Sequence, residues 1–111
     1  MKPASNAPVY AALYSEFAEL ARKHGYALAI HGSLQRDFDV IAVPWVELPS
    51  EPRVVIDAIK KEFAVETVAG PTLKLHGRIC WSIVIGFGET QLDFSFMPLE
   101  MERTNDRWNG Y

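Results

Sequence analysis

Two segments of the chain alternate acidic or polar residues with apolar residues at a period of two. In the first segment, Asp37 and Asp39 flank Phe38. In the second, Gln-Leu-Asp-Phe-Ser-Phe at residues 91–96, Asp93 lies between two apolar residues. Because successive side chains of a strand point to opposite faces, both segments are predicted to be strands with one apolar and one polar face. A chain with two such strands is expected to fold around a sheet that has a core on one side.

The rest of the chain predicts two helices and further strands. An apolar stripe at helical spacing runs through residues 7–24, and Gly25 follows it as a stop signal. A second helix is predicted to begin with Ser50 as its N-cap and Pro52 in its first turn. Strands are expected at 26–30, 37–43, 72–76, 79–85 and 90–96, with a turn at Gly70-Pro71 and a hairpin closed by Gly77-Arg78 between the third and fourth.

The order of these elements predicts the fold class. Helix–strand–strand–helix–strand–strand–strand indicates an α+β domain with a mixed sheet of about five strands and two main helices packed on one face. The length of 111 residues suits one domain, residues 1–111. Residues 101–111 are polar and are expected to form a loose tail.

Composition excludes several classes of function. No apolar run approaches the ~20 residues of a membrane helix, and residues 1–5 lack the apolar stretch of a signal peptide, so a cytoplasmic location without membrane partners is expected. A net charge of −3 argues against a broad surface for duplex nucleic acid. The single cysteine, Cys80, excludes an internal disulfide and a cysteine zinc site.

The acids carry the functional prediction. The two alternating strands are predicted to be neighbours, which would bring Asp37, Asp39 and Asp93 together on the polar face. Close carboxylates repel one another unless protons or cations lie between them, and Mg²⁺ or Mn²⁺ prefers such oxygen ligands. Metal ions held by paired acids support phosphoryl and nucleotidyl transfer. The three acids are therefore predicted metal ligands and catalytic residues; a solvated strand start is the alternative for the Asp-x-Asp pair alone.

A phosphate site is predicted just upstream of these acids. Gly32 lets the backbone approach an anion, and Ser33 offers a hydroxyl and N–H groups. Arg36 can add a charged fork, and His76 and Arg78 can reach a phosphate if their hairpin borders the acids. The alternatives are a plain turn at Gly32-Ser33 and exposed surface positions for the three cations.

Two other residues have simpler interpretations. His31, at a strand end, is expected to be a hydrogen-bonded structural histidine. Trp45 follows Pro44 and is expected to be a packing residue, with base stacking as the alternative.

The motifs together resemble the polymerase-beta-like nucleotidyltransferase superfamily. Its pattern is a Gly-Ser turn after a strand, then Asp-x-Asp between apolar residues, then an apolar–Asp–apolar triplet on a later strand. Gly32-Ser33, Asp37-Phe38-Asp39 and Leu92-Asp93-Phe94 occur in that order. Within the superfamily, a group of small phage and prophage proteins looks similar over residues 31–45, 76–78 and 92–98.

The resemblance implies a transferase that moves a nucleoside monophosphate from an NTP to an acceptor hydroxyl with Mg²⁺ or Mn²⁺. One departure affects that implication: three residues separate Ser33 from Asp37, too few for the helix that the superfamily places there. The alternative is therefore a catalytically inactive module of the same fold that binds nucleotide, a protein partner or a second copy. A structural accessory protein without any ligand is the third hypothesis.

Overall fold

Two α-helices and five strands make up the described part of the chain. The computed structural model describes residues 7–32, 37–85 and 90–99, and for residues 7–9, 37, 68, 85 and 90 it describes the backbone alone. The order of elements is the predicted one. The elements are α1 (Ala7–Lys23), β1 (Tyr26–His31), β2 (Asp37–Pro44), α2 (Pro52–Phe63), β3 (Glu66–Leu73), β4 (Ile79–Ile85) and β5 (Thr90–Phe96), with one 3-10 turn, Leu75–Gly77, between β3 and β4.

The five strands form one mixed sheet in the order β1-β2-β5-β4-β3. The central strands β2 and β5 run parallel, and the three other neighbouring pairs are antiparallel. The predicted α+β class is confirmed. The two strands that carry the acids are neighbours, as the alternation predicted.

One face of the sheet forms the core, and both helices pack on it. Phe38 of β2 lies opposite Leu92 of β5 and stacks on Tyr10 of α1, with ring centroids 4.8 Å apart. Phe17 of α1 meets Phe63 of α2 edge to face at 4.7 Å, so the helices also contact each other. Because strand side chains alternate, Asp39 and Asp93 lie on the face opposite the helices. The fully buried core side chains include Tyr10, Phe38, Val55, Ile59, Ile83, Leu92 and Phe94.

The junction between α1 and β1 follows the sequence prediction. Gly25 has a φ of +92°, and its N–H donates to the carbonyl of Arg22. A Cβ at this position would lie 2.6 Å from Cγ2 of Val46 and 2.9 Å from the Cα of Pro49. Glycine is required here for both backbone conformation and space.

The prediction that Ser50 caps α2 is wrong. The N-cap is Glu51, and it makes no side-chain capping bond. Ser50 instead bonds the end of α1: its Oγ lies 3.0 Å from Nδ1 of His24, and its N–H donates to the His24 carbonyl. The carbonyl of Ser50 accepts a hydrogen bond of 2.6 Å from the Tyr26 hydroxyl. Ser50 therefore joins the two helix–strand connections, and its hydroxyl is not used at the start of α2.

The predicted turn at Gly70-Pro71 is also wrong. Both residues lie inside β3, which runs from Glu66 to Leu73 rather than from 72 to 76. The register with β4 shifts between Thr67 and Ala69 and again between Ala69 and Thr72, the interval that contains this dipeptide, as at a β-bulge. A Cβ on Gly70 would lie 2.7 Å from the Cys80 carbonyl oxygen, so glycine admits the close approach of β4. The predicted hairpin is present, with a connection that contains the 3-10 turn.

None of the helices in the described ranges has the length and apolar character needed to cross a membrane. The predicted tail, 101–111, lies outside the described residues.

Candidate metal and phosphate site

Asp39 and Asp93 lie side by side in the middle of the sheet. They are register partners on the parallel strands β2 and β5. Neighbouring strands are about 4.8 Å apart, and paired residues project from the same face, so the two carboxylates are adjacent. Both residues are half-buried. The sheet thus brings together two of the three predicted metal ligands.

Asp93 is oriented by two neutral donors on the same carboxylate oxygen. The hydroxyl of Ser82 donates to its Oδ1 at 2.9 Å, and the side-chain amide of Gln91 donates to that oxygen at 3.0 Å. Ser82 is the register partner of Asp93 on β4, and Gln91 precedes Asp93 by two positions on the same face. Among the described residues, these bonds leave Oδ2 of Asp93 for another ligand. The alternation of the strand predicted that Gln91 shares the polar face with Asp93, whereas nothing in the sequence indicated Ser82.

Gly32 lies directly against the other acid. A Cβ on Gly32, whose φ is +89°, would be 3.0 Å from Oδ2 of Asp39. The backbone at the end of β1 therefore reaches the Asp39 carboxylate, as expected for a glycine placed to admit an anion or a metal-bound phosphate. A side chain at this position would crowd the carboxylate.

His31 extends the line of polar residues to the outer strand. It is the register partner of Asp39 on β1, so His31, Asp39, Asp93 and Ser82 form one row across four strands. Directly opposed residues of an antiparallel pair have Cβ atoms about 5 Å apart. His31 is exposed, and β1 includes it although the predicted strand ended at Ile30. The extra strand residue makes His31 a neighbour of the acids, a role that the sequence did not predict.

Asp37 is placed by its backbone. It begins β2, opposite Gln91 of β5, two positions before Asp39. The side chain of Asp37 is not among those that the structure describes. In the part of the chain whose side chains are described, no group of three His, Cys, Asp or Glu residues is arranged to hold a metal ion. Within that part, the acids at the site are therefore the Asp39–Asp93 pair.

The predicted phosphate ligands are distributed unevenly. Ser33 and Arg36 lie outside the described residues. Arg78 is half-buried just before β4, where its Nη1 lies 3.3 Å from the Oγ of Ser95 and its Nε donates to the Leu75 carbonyl. Ser95 shares the face of Asp93 and follows it by two positions, about 7 Å along the strand. Arg78 thus brings a cation to the acid-bearing face.

His76 is farther from the acids in the fold. It lies in the 3-10 turn with a φ of +65° and is exposed.

The chemistry of this arrangement follows from its donor set. Two adjacent carboxylates, one with an oxygen anchored by neutral donors, suit a hard divalent cation better than a soft metal. A nearby guanidinium and a close glycine backbone suit an anionic group that approaches such a cation. The described residues therefore fit the carboxylate half of a metal–phosphate site.

Comparison of the chain with models of protein families, with curated proteins and with solved structures finds no match. Inference about function therefore depends on the residues and on their arrangement.

Proposed function

We propose that this chain is a divalent-metal-dependent nucleotidyltransferase domain, which moves a nucleoside monophosphate from an NTP to an acceptor hydroxyl. The observation that carries the proposal is the register of β2 and β5, which pairs Asp39 with Asp93. Two neighbouring carboxylates on a sheet face repel each other and raise the free energy of the folded state unless a cation neutralises them. Their presence in this fold therefore favours metal binding. The order of motifs along the chain supports the same class of reaction.

Each residue has a role in this proposal. Asp39 and Asp93, with Asp37, would hold Mg²⁺ or Mn²⁺. The bound ion supplies charge neutralisation at the phosphates and lowers the pKa of the attacking hydroxyl. Ser82 and Gln91 keep the Asp93 carboxylate in one orientation through their bonds to Oδ1.

The phosphates of the NTP would lie over the end of β1. Gly32 gives them access beside Asp39, and Ser33 and Arg36 are the predicted ligands that follow it in the chain. Arg78 is placed to neutralise charge on the same face of the sheet, with His76 as a more distant candidate. As the acceptor oxygen bonds to the α-phosphorus, the bond from that phosphorus to pyrophosphate breaks, and the hydroxyl proton is released to solvent.

A transfer assay tests this proposal. The purified chain is incubated with each of the four NTPs, Mg²⁺ and glycerol as a simple acceptor hydroxyl, and pyrophosphate release is measured. Slow, metal-dependent release that Asp39→Ala abolishes is the expected result. Asp57→Asn, which changes an exposed acid on α2, is the matched control and should retain activity.

A second candidate function is a non-catalytic module that binds nucleotide without turning it over. The observation that favours it is the short connection, in which three residues separate Ser33 from Asp37. That length excludes a helix whose N-terminus would hold the triphosphate. A partner protein or second copy would then complete the pocket. Metal-dependent NTP binding without pyrophosphate release would support this candidate, and absence of both would contradict both functions.

A further inference from the structure

β1 is an edge strand of the sheet. Among the described strands, it has a neighbour, β2, on one side only. The Gly25 carbonyl accepts a bond of 2.9 Å from the Trp45 N–H, which fixes the alternation of the antiparallel ladder. Backbone groups of alternate residues from 25 to 31 consequently point toward β2. Those of Tyr26, Leu28 and Ile30 point outward.

Within the described residues, one hydrogen bond is made to an outward-pointing backbone group of β1. The Tyr14 hydroxyl of α1 donates to the Leu28 carbonyl at 2.6 Å, which agrees with the outward direction of that carbonyl. The strand reads Tyr-Ala-Leu-Ala-Ile-His, with no lysine, acid, proline or bulge. Edge strands of natural proteins are usually protected by one of those features or by a covering helix or loop, because an open edge can pair with another chain. α1 covers this edge at the Leu28 carbonyl, and no hydrogen bond within the described residues covers the outward groups of Tyr26 and Ile30. The open edge of β1 is therefore a candidate for strand addition.

A groove of about 420 Å³ runs along the first half of this edge. α1 forms one wall, and the segment after β2 forms the other. Trp45 is 76% exposed and Val46 is 50% exposed, so the prediction that Trp45 packs in the interior is wrong. The lining residues include Tyr14, Ala18, Arg22, Leu28, Trp45 and Val46.

The wall that carries Trp45 is held in place. Its backbone N–H bonds the Gly25 carbonyl, and Val46 and Pro49 close tightly around Gly25. The Ser50–His24 bonds anchor the far end of the same segment. The groove is thus formed before any ligand binds, which lowers the entropy cost of binding.

We propose that this groove binds an extended peptide of a partner protein, which adds to the outer edge of β1 as a further strand. Open backbone groups select an extended chain, and alternate side chains of that chain would enter the groove. Ala18 and Ala27, which line the groove together with Trp45, have small side chains. The proposal is independent of the metal site and of nucleotide binding.

The charge of the groove predicts one further property of the partner peptide. Arg22 is the one charged side chain among the described residues that line the groove. It is 70% exposed and is bridged at 2.9 Å to Glu19, itself 60% exposed, so a second carboxylate can approach it from solvent. An acidic residue at the end of the peptide near Gly25 would meet this guanidinium. The β1 strand of a second copy has no carboxylate to offer, which favours a separate peptide over self-pairing.

A displayed library of random heptapeptides tests the proposal. Selection on the purified chain should enrich peptides with alternating apolar residues and an acid near one end. The best sequence is then synthesised, and its affinity is measured from the change in tryptophan fluorescence and by calorimetry. Replacing its acid with the matching amide should weaken binding to the wild type and have little effect on binding to Arg22→Gln.

Two variants locate the binding edge. Ile30→Pro removes an outward N–H without removing a ladder bond, a change that edge strands tolerate. Trp45→Ala shortens an exposed wall residue. Each should weaken peptide binding at least tenfold while the melting temperature stays close to that of the wild type. Leu75→Ala, an exposed apolar change away from the groove, is the control and should bind normally.

Three results would overturn the proposal. The first is that the library enriches no peptide. The second is that an enriched peptide binds the wild type and both variants with equal affinity. The third is that analytical ultracentrifugation shows a dimer, which Ile30→Pro converts to a monomer. The last result would assign the edge to a second copy of the chain.

Discussion

Asp39 and Asp93 repel each other across a single strand spacing unless a cation lies between them. Their interaction is stronger than that of two solvated surface acids because both residues are half-buried. The two donors on Oδ1 of Asp93 are neutral and supply no positive charge to the pair. The ion-free protein is therefore expected to be less stable than it would be with a single acid at this place.

Asp39→Asn should raise the melting temperature of the ion-free protein. Removing the repulsion is worth about 1 kcal/mol, or roughly 4–6 °C for a domain of this size. Millimolar Mg²⁺ or Mn²⁺ should stabilise the wild type and leave the variant unchanged, because the ion binds the folded acids. Thermal melts in chelator and in metal measure both effects. A wild type that does not respond to metal would indicate solvated acids.

Tyr26 links stability to alkaline pH. Burial, and to a lesser extent the charge of Glu51, raises the pKa of its phenol above the ordinary 10.0. The folded state therefore holds this proton more tightly than the unfolded state. The resulting stability is fully present below pH 10 and is lost as pH rises through the raised pKa.

Tyr26→Phe should remove this component of the pH dependence. The variant loses the hydrogen bond to the Ser50 carbonyl, at a cost of about 1 kcal/mol near neutral pH. Above pH 10, its free energy of unfolding should fall less steeply than that of the wild type. Denaturant unfolding between pH 8 and about 11 measures the two slopes. Parallel slopes would show that Tyr26 keeps its ordinary pKa.

At the scale of elements, two connections stabilise each other. The turn after α1 and the segment between β2 and α2 are joined by backbone bonds from Trp45 to Gly25 and from Ser50 to His24. Gly25 lies at the centre of this junction, where both its φ and its space are restricted. The wall of the edge groove depends on the same contacts.

Gly25→Ala should destabilise the protein by about 3–5 kcal/mol, since a left-handed backbone and a backbone clash act together. Gly77→Ala is the matched control. Gly77 also has a positive φ, +74°, but its Cβ would meet the ring of Pro98 at 3.2 Å and no main-chain atom closer. We expect a loss of about 1–2 kcal/mol there. Denaturant midpoints compare the two, and equal losses would refute the crowding at Gly25.

The elements that could be predicted are those with a repeating signal. Alternation located β2 and β5, and the shared acids predicted that they are neighbours, which is confirmed. Ser50 and Gly70-Pro71 misled because each carries a strong local signal that tertiary contacts override. The Ser50 hydroxyl bonds His24, 26 positions away, and Gly70 admits β4 within a bulged strand.

The candidate site could be predicted only in part, for a related reason. Acids on a strand reveal their shared face through spacing. Neighbours across strands depend on register, which no local spacing contains. His31 and Ser82 join the row of acids through register alone. The sequence did not predict the edge groove, because its wall residue, Trp45, is a large apolar residue of the kind that usually packs in a core.

On the scale of the whole molecule, the two candidate sites lie at opposite ends of β1. Its last residue, His31, adjoins the acids, and its first residues line the groove. Four strand positions, about 13 Å, separate Ala27 from His31. Peptide binding at one end and metal binding at the other should therefore be separable by mutation.

Nucleotide binding by the isolated chain should be weak. Without a helix between Ser33 and Asp37, the site lacks a helix dipole and several aligned donors, a loss of about 1–2 kcal/mol. This corresponds to a loss in affinity of about tenfold. Calorimetry with the four NTPs in Mg²⁺ should give dissociation constants near the millimolar range. Micromolar binding would show that the short connection does not impair phosphate binding.

The most direct test of the metal site is a titration with Mn²⁺ followed by electron paramagnetic resonance, which counts the ions bound. The wild type is compared with Asp39→Asn, Asp93→Asn and the control Asp57→Asn. We predict that the wild type and the control bind Mn²⁺ equally, and that each of the other two variants binds at least tenfold more weakly. Equal binding by all four proteins, or no binding by the wild type, would contradict a metal site between β2 and β5.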